Sequence, residues 1–233
     1  MPPKSDISDI REIVLDTETT GLDPSAGHRV VEIACIELVN RMPTGKVYQI
    51  YLNPERDMPE EAFKIHGLST DFLARHGTFA DQADAFLDFI GDAGLVIHNA
   101  EFDLKFLNWE LEHIKRESLS ANPVVDTVRL ARKKFPGAPA SLDALCRRFG
   151  IDNSARTVHG ALLDTELLAD VYLELIGGRQ PGLGFSTETR TETATAVTRE
   201  RDAHAPRAHA PDAEELTAHA EFIGAMKKPI WKN

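Results

Sequence analysis

The chain has 233 residues, of which 42% are hydrophobic and 27% are charged, and these values are ordinary for a globular protein. No apolar run approaches the roughly 18 residues that span a bilayer, and the start of the chain lacks the apolar region of a signal peptide, so we expect a cytoplasmic protein. The net charge of -11 argues against broad nonspecific binding of nucleic acid, although clustered carboxylates can bind cations that in turn bind phosphate.

Three predicted strands open the chain. They cover the segments EIVLDTE, HRVVEIACIELVN and KVYQIYLNP, where apolar runs, alternation and β-branched residues favour strands. Because the three segments follow one another closely, an antiparallel meander is the simplest pairing. Cys35 lies in this region and Cys146 lies further on; both occupy apolar patterns and are expected to be buried free thiols.

Helices and short strands alternate after the meander. Helices are predicted over PEEAFKIHGLS, which stops at Gly67, and over TFADQADAFLDFIGDA, and GLVIHN is a short buried strand. The next helix, AEFDLKFLNWELEHIKRE, has an apolar face that contains Phe102, Phe106, Trp109 and Ile114. A strand followed by a helix is predicted over NPVVDTVRLARKKFPG. A further helix is predicted over SLDALCRRFGI, with Ser141 as its N-cap and Gly150 as its end. The last helix of this region is amphipathic and covers HGALLDTELLADVYLELIGG. This order predicts an α/β fold with a mixed sheet.

The composition changes after Gly178. STETRTETATAVTRERDAHAPRAHAP has almost no large apolar residue and is predicted to be a flexible linker. The final segment, DAEELTAHAEFIGAMKKPIWKN, regains apolar and aromatic residues. A short amphipathic helix after a linker is typical of a docking peptide, and a poorly ordered tail is the alternative.

Two carboxylates end the first predicted strand. Asp16 and Glu18 are two positions apart, so on a strand they face the same side and repel each other, while Thr17 points to the opposite side and is assigned a structural role. A divalent cation between the carboxylates would remove the repulsion, and oxygen ligands suit Mg²⁺ or Mn²⁺. Taken alone, the pair is better explained as a solvated strand end.

Three further residues change that balance. Asp103 lies at the start of a predicted helix, and His159 and Asp164 lie at the approach to another and in its early turns. Each has an ordinary alternative role. Asp103 could be a solvated helix residue, His159 could be a turn or capping residue, and Asp164 could be an acid favoured in the first turn by the helix dipole. Together, four carboxylates can hold two cations about 4 Å apart, and a histidine can take a proton from a water. This set suits hydrolysis of a phosphodiester.

The stretches VLDTETTGL, VIHNAEFDLKFL and HGALLDTELLADVYLEL resemble the three motifs of the DEDD exonuclease superfamily in its histidine-bearing branch. Within the branch, residues 11–178 are similar to the epsilon proofreading subunits of bacterial replicative DNA polymerase III, and NRMPTGKVYQIYLNP, EAFKIHGLS, ARKKFPG and SLDALCRRFGIDNSARTVHGALLD extend the similarity. The resemblance implies a ribonuclease-H-like fold, a mixed five-stranded sheet flanked by helices.

The resemblance also implies roles for single residues. It makes His159 the general base, and two divalent cations, Mg²⁺ or Mn²⁺, would be held by the metal ligands Asp16, Glu18, Asp103 and Asp164. Substrate contacts are implied at Glu18, Thr19, Glu61, His66 and Asp164. From the residues alone, His66 could instead be a polar residue in a helix-ending turn. Thr19, Thr20 and Gly21 suit a tight turn whose backbone approaches the terminal nucleotide.

Partners are implied for the tail. QPGLGF resembles a motif that binds the beta sliding clamp through Gln180, Leu183 and Phe185, and a glycine-rich exit loop is the alternative. The terminal segment would dock on the polymerase alpha subunit through Phe222, Ile223 and Trp231. The predicted organisation is an exonuclease domain at 1–179, a clamp-binding motif at 180–185, a flexible linker at 186–211 and a polymerase-docking segment at 212–233.

The predicted function is that of a 3′→5′ exodeoxyribonuclease that removes mispaired nucleotides from a single-stranded or frayed 3′ DNA end. An enzyme of the same superfamily that trims RNA 3′ ends is one alternative, and a noncatalytic tether between clamp and polymerase is another. The linker, the clamp-like motif and the apolar terminus favour the polymerase subunit over free-standing RNA trimming.

Overall fold

The computed structural model of the chain describes residues 10–154, 156, 158–177 and 211–225. The chain divides into two compact units, Met1–Gly184 and Phe185–Asn233. The predicted clamp-binding residues Gln180, Leu183 and Phe185, and the predicted docking residue Trp231, lie outside the described residues.

The first unit is built on a five-stranded sheet with the order β3-β2-β1-β4-β5. The strands are β1 (Arg11–Thr19), β2 (Val30–Val39), β3 (Met42–Tyr51), β4 (Gly94–Ile97) and β5 (Val124–Asp126). The first three strands pair antiparallel as a meander, and β1 pairs parallel with β4, which pairs parallel with β5. The predicted mixed sheet and the predicted meander are therefore confirmed.

Helices occupy the segments between and after the strands. They are α1 (Glu60–His66), α2 (Thr70–Leu73), α3 (Phe79–Ile90), α4 (Ala100–His113), α5 (Thr127–Lys134), α6 (Leu142–Phe149), α7 (Ala161–Leu175) and α8 (Ala213–Ala225). The Ser141 side chain caps α6 by accepting from the Ala144 amide, and Gly150 ends the helix in the left-handed region at φ 69°, as predicted. The four-residue helix α2 was not predicted. Among the described residues, no helix is long and apolar enough to cross a membrane.

Two apolar layers cover the two faces of the sheet. On one face Leu15 packs with residues of α3 and α4 such as Phe86 and Phe106, and on the other face Val14 packs with α6 and α7. Successive residues of a strand alternate between faces, so Asp16 and Glu18 continue the row of Val14 towards α7. Cys35 and Cys146 are buried free thiols in these two layers, as predicted.

The second unit is described through α8. Its side chains are largely solvent-exposed, with Phe222 63% exposed and Ile223 half-buried. This helix lies within the segment that was predicted to dock on a partner.

A buried ion pair fastens α4 to the start of β2. Nε and Nη2 of Arg29 donate to the two carboxylate oxygens of Glu110, both at 2.8 Å, and the Val30 amide donates to the same carboxylate at 3.3 Å. The Glu110 side chain is 2% exposed. A bidentate guanidinium contact satisfies a buried carboxylate geometrically as well as electrostatically.

We expect Glu110→Ala to lower the free energy of unfolding by about 3 kcal/mol, because it leaves the Arg29 guanidinium and the Val30 amide without their acceptor. Urea unfolding followed by circular dichroism measures this loss. Glu112→Ala is the matched control, because Glu112 is an exposed residue of the same helix. Equal losses in the two variants would contradict the structural role of the pair.

Candidate active site

The end of β1 carries the first two predicted ligands. Asp16 is partly exposed and Glu18 is 9% exposed, and both pair with β2 just beyond Leu15, the last residue of β1 that pairs with β4. Glu18 is paired in register with Glu32 on β2. A third acidic side chain therefore lies next to the predicted pair.

Asp103 approaches the same strand end from α4. Because β1 and β4 are parallel, the helix that follows β4 begins beside the end of β1, and Asn99 starts it in the left-handed region at φ 66°. Asp103 is 3% exposed, and its Oδ1 accepts from the Thr17 amide at 3.1 Å and from the Thr17 hydroxyl at 2.7 Å. Thr17 thus has the structural role that was predicted, as the residue that fixes the Asp103 carboxylate.

His159 and Asp164 come from the start of α7. Asp164 is 4% exposed, and the His159 side chain is 51% exposed. The His159 amide donates to the Ile65 carbonyl at 2.9 Å, which ties the histidine segment to α1. One potential ligand atom from each of Glu18, His159 and Asp164 lies within 4.8 Å of the other two. The structure therefore brings the predicted histidine together with two of the four predicted carboxylates, Glu18 and Asp164.

Burial, and for Asp16 and Glu18 also repulsion from neighbouring carboxylates, raises the pKa values of the acids in the cluster. Burial, followed by repulsion from Asp164, raises the pKa of Glu18 to about 8. Burial raises the pKa of Asp103 to about 7, in spite of the hydrogen bonds from Thr17. Asp16 also has a pKa well above its usual value, because of its desolvation and of repulsion from Asp103 and Glu18. A donor set of desolvated, mutually repelling oxygens beside an imidazole fits a hard divalent cation.

Glu32 is a buried carboxylate that the sequence analysis did not single out. Its Oε2 accepts from the Ala161 amide at 3.1 Å, at the first residue of α7, and its Oε1 accepts from Nε2 of Gln49 at 2.8 Å. Glu32 thereby fixes the start of the helix that supplies Asp164. An acidic residue in a largely apolar strand, opposite Glu18, was the signal that could have identified it.

Arg156 is a second residue that the sequence analysis missed. Its guanidinium donates to both carboxylate oxygens of Asp164 and to Asp143 on α6. An arginine three residues before His159 was the available signal, but its spacing alone does not indicate which way the side chain points.

A pocket of about 450 Å³ opens beside the carboxylates. It is lined by four of the five predicted substrate residues, Glu18, Thr19, Glu61 and His66, and also by Leu22 and Phe102. The fifth, Asp164, does not line this pocket but lies in the carboxylate cluster with Glu18. The pocket thus combines polar groups with apolar walls, as is typical of ligand sites.

His66 presents a buried donor to this pocket. Its Nδ1 accepts from the Leu68 amide at 3.1 Å, so the proton of the neutral ring is on Nε2. Nε2 is buried; within the described part of the chain the Thr19 backbone lies close to the ring, but Nε2 makes no hydrogen bond of good geometry. Burial lowers the pKa of His66, which favours the neutral ring. A buried N–H of this kind is suited to an acceptor on a ligand.

The predicted turn after β1 forms the rim of the pocket. The Thr19 hydroxyl donates to the Gly21 carbonyl at 2.6 Å. A Cβ atom at Gly21 would lie 2.3 Å from the His28 ring. A side chain at this position is therefore excluded by the packing of His28.

The raised pKa values predict how stability depends on pH in the metal-free protein. Protons held by Glu18 and Asp103 stabilise the folded state, and this contribution is lost as pH rises through their pKa values of about 8 and about 7. We therefore expect the Tm in chelator to fall between about pH 5 and about pH 8. Differential scanning calorimetry measures the slope.

Glu18→Gln is the control for this slope, because it keeps the shape of the side chain and removes one titrating group. The variant should show a shallower fall in Tm. Saturating divalent cation should flatten the slope of the unmutated protein, because a cation replaces the protons. A Tm in chelator that rises over this range would contradict the electrostatic description of the site.

Comparison with known proteins agrees with this geometry. The model of the Exonuclease family matches residues 13–172. The chain is 50% identical over 228 residues to the DNA polymerase III subunit epsilon of Rickettsia felis, covering 95% of this chain and 99% of that protein. It is 44% identical over 229 residues to the protein of the same name from Escherichia coli, covering 94% of each chain.

Solved structures share the fold. The nuclease domain of 3′hExo, a DEDDh family member bound to rAMP, matches with a TM-score of 0.63 and 19% identity over 74% of this chain and 94% of that one. The complex of E. coli ExoI with single-stranded DNA matches with a TM-score of 0.65 and 19% identity over 75% of this chain and 42% of that one. With the family match and the identities above, these findings show that the chain belongs to the family of DNA polymerase III epsilon subunits, proofreading 3′→5′ exonucleases that depend on divalent metal.

Proposed function

We propose that this chain removes mispaired nucleotides from the 3′ end of DNA by hydrolysing the terminal phosphodiester and releasing 5′-mononucleotides. The observation that supports the proposal most is the convergence of Glu18, His159 and Asp164, with potential ligand atoms within 4.8 Å of one another. These residues come from β1 and from the start of α7, which packs on the face of the sheet towards which Glu18 points.

The carboxylates of Asp16, Glu18, Asp103 and Asp164 would hold two divalent cations, Mg²⁺ or Mn²⁺. When bound, such cations activate the attacking water and stabilise the leaving oxygen. His159 is the general base in this proposal, and about half of its side chain is exposed at the edge of the cluster, where the attacking water would lie. Thr17 and Glu32 position Asp103 and α7, respectively.

The terminal nucleotide would occupy the pocket beside the cluster. His66 Nε2 offers it a buried donor, and Phe102 and Leu22 offer apolar surface for a base or sugar. A mispaired end frays at lower free-energy cost than a paired end, so it reaches such a pocket more often. Selectivity for mispairs would then need no direct recognition of the base.

The tail would keep the nuclease at the replication fork, and therefore in the cytoplasm. Family membership supports association with the polymerase, and we propose that Phe222 and Ile223 of α8, with Trp231, contact its alpha subunit. Gln180, Leu183 and Phe185 would bind the sliding clamp. A flexible linker at 186–211 would raise the effective concentration of the exonuclease domain, 1–179, near the primer end.

Release of mononucleotide from a 3′-mispaired DNA primer, with Mg²⁺ or Mn²⁺ and with chelator, tests this function. We expect metal-dependent release that is faster than from a paired end. Asp16→Ala should abolish release because it removes a cation ligand. His159→Ala should lower kcat by about 100-fold or more, the usual contribution of a general base.

Asp88→Ala and His113→Ala are matched controls, because both residues lie outside the carboxylate cluster and both side chains are exposed. Neither should change release from the primer. No release from DNA, with hydrolysis of short RNA instead, would favour the RNA-trimming alternative. No release from either substrate would leave the clamp-to-polymerase tether.

Glu32→Ala should lower kcat by about 10- to 100-fold, the usual effect of losing a residue that orients a metal ligand. The loss arises because the Ala161 amide would lose its acceptor, so that the start of α7 and the Asp164 side chain would no longer be held in place. Steady-state kinetics on the mispaired primer measure the effect.

Glu37→Ala is the control for Glu32. Glu37 is an equally buried residue of β2, but it pairs with Arg11 and Lys46. This variant should lose stability while its folded fraction keeps the full rate. An equal loss of kcat in the two variants would show that Glu32 acts through general stability alone.

A further inference from the structure

One guanidinium reaches into the carboxylate cluster. Nε and Nη2 of Arg156 donate to Oδ1 and Oδ2 of Asp164 at 2.5 and 2.7 Å, and Nη1 donates to Oδ1 of Asp143 at 2.8 Å. The same oxygen of Asp143 accepts from Nδ2 of Asn153 at 2.9 Å. The Arg156 side chain is 10% exposed, so carboxylates from α6 and α7 enclose it.

The same guanidinium contacts the proposed base. Nη2 of Arg156 lies 2.8 Å from Nδ1 of His159. A guanidinium has donors and no acceptor, so Nδ1 must be the acceptor in this contact. A neutral imidazole has one nitrogen with a free lone pair, and here that lone pair is directed at Arg156. His159 in this arrangement has no lone pair left for a water.

The atoms that Arg156 engages are therefore those that a cation would use. Asp164 and His159 are two of the three residues whose ligand atoms lie within 4.8 Å of one another, and both Asp164 oxygens accept from the guanidinium. A guanidinium and a divalent cation repel each other, and here the guanidinium already engages both oxygens of Asp164.

We propose that Arg156 is a resident cation that neutralises Asp164 and occupies His159 in the metal-free protein, and that a divalent cation must displace it. The inference deepens the proposed function, since it concerns the same cluster. Before the exchange, the base is blocked and a metal ligand is engaged. After the exchange, Asp164 binds the cation and the lone pair of His159 is released.

In this arrangement only molecules in which Asp164 is free can bind the metal. The apparent affinity is therefore the intrinsic affinity multiplied by the fraction of such molecules. Arg156→Gln removes the competing charge and most of the donor fork. We expect it to bind Mn²⁺ with a Kd about tenfold lower than that of the unmutated chain, which corresponds to an arginine-bound population of roughly nine-tenths. Electron paramagnetic resonance of free Mn²⁺, titrated against the full chain without DNA, measures this Kd.

Arg147→Gln is the matched control, because it removes the same charge from an exposed position on α6. Its Kd should stay within about twofold of the unmutated value. Mn²⁺ binding by Arg156→Gln that is unchanged or weaker would overturn the proposal. Because no DNA is present, a chain that shows the expected affinities and fails to hydrolyse the primer contradicts the proposed function alone.

A measurement on the unmutated chain covers the case in which Arg156→Gln does not fold. The Nε–H resonance of Arg156 in a ¹H–¹⁵N spectrum, assigned by its loss in Arg156→Lys, reports the contact with Asp164. Mg²⁺ should move this resonance towards the position of solvent-exposed arginines. A resonance that stays unchanged at saturating Mg²⁺ would overturn the exchange.

Discussion

Mutual repulsion among desolvated carboxylates is the constraint on which this site depends. Asp16 and Glu18 share one face of β1, and Asp103 reaches the same strand end from the helix after β4. Their raised pKa values express first the free-energy cost of ionising buried groups and then, for Asp16 and Glu18, the repulsion from neighbouring carboxylates. A carboxylate cluster with such a cost is stable when it is protonated or when it is neutralised by a cation. The same cost that disfavours ionisation in the metal-free protein thus becomes the driving force for binding a divalent cation.

The fold meets this constraint by fixing the carboxylates from both faces of the sheet. On the α4 side, Thr17 donates twice to Asp103, and on the α7 side, Glu32 accepts from the first amide of the helix that carries Asp164. Thr17 and Glu32 lie on the adjacent strands β1 and β2, and each interacts with the helix on its own face of the sheet. The two apolar layers therefore support one edge of the sheet, at which Thr17 fixes Asp103 and Glu32 fixes the start of α7.

Much of this arrangement could be predicted from the sequence because its signals are local. Strand alternation, the cap at Ser141 and the stop at Gly150 each act within a few residues. The predicted apolar face of α4 was only partly right: Phe106 is fully buried, but Trp109 is half-exposed, and the buried face contains the acid Glu110. Glu110 is buried because Arg29, 81 residues away, satisfies it, and no local pattern reveals such a partner. Glu32 was not predicted because its partner, the Ala161 amide, lies 129 residues away in the sequence. Arg156 was not predicted because the path of an irregular segment decides which carboxylates its side chain reaches.

The negative charge of the whole chain, like that of the carboxylate cluster, opposes contact with DNA unless a positive charge compensates for it. At a net charge of -11, the protein repels DNA at long range, so cations and partner proteins must supply most of the attraction to the primer. Under the proposed function, an enzyme that is weakly attracted to free DNA and positioned by a tether meets 3′ ends chiefly where the polymerase holds them. Competition between Arg156 and metal would add a second requirement to the need for a tether, namely a bound cation. His159 would be released only at the step in which the cation binds. Hydrolysis would then need the tether, the frayed end and the cation at the same time, which protects correctly paired DNA from a nuclease that does not recognise bases.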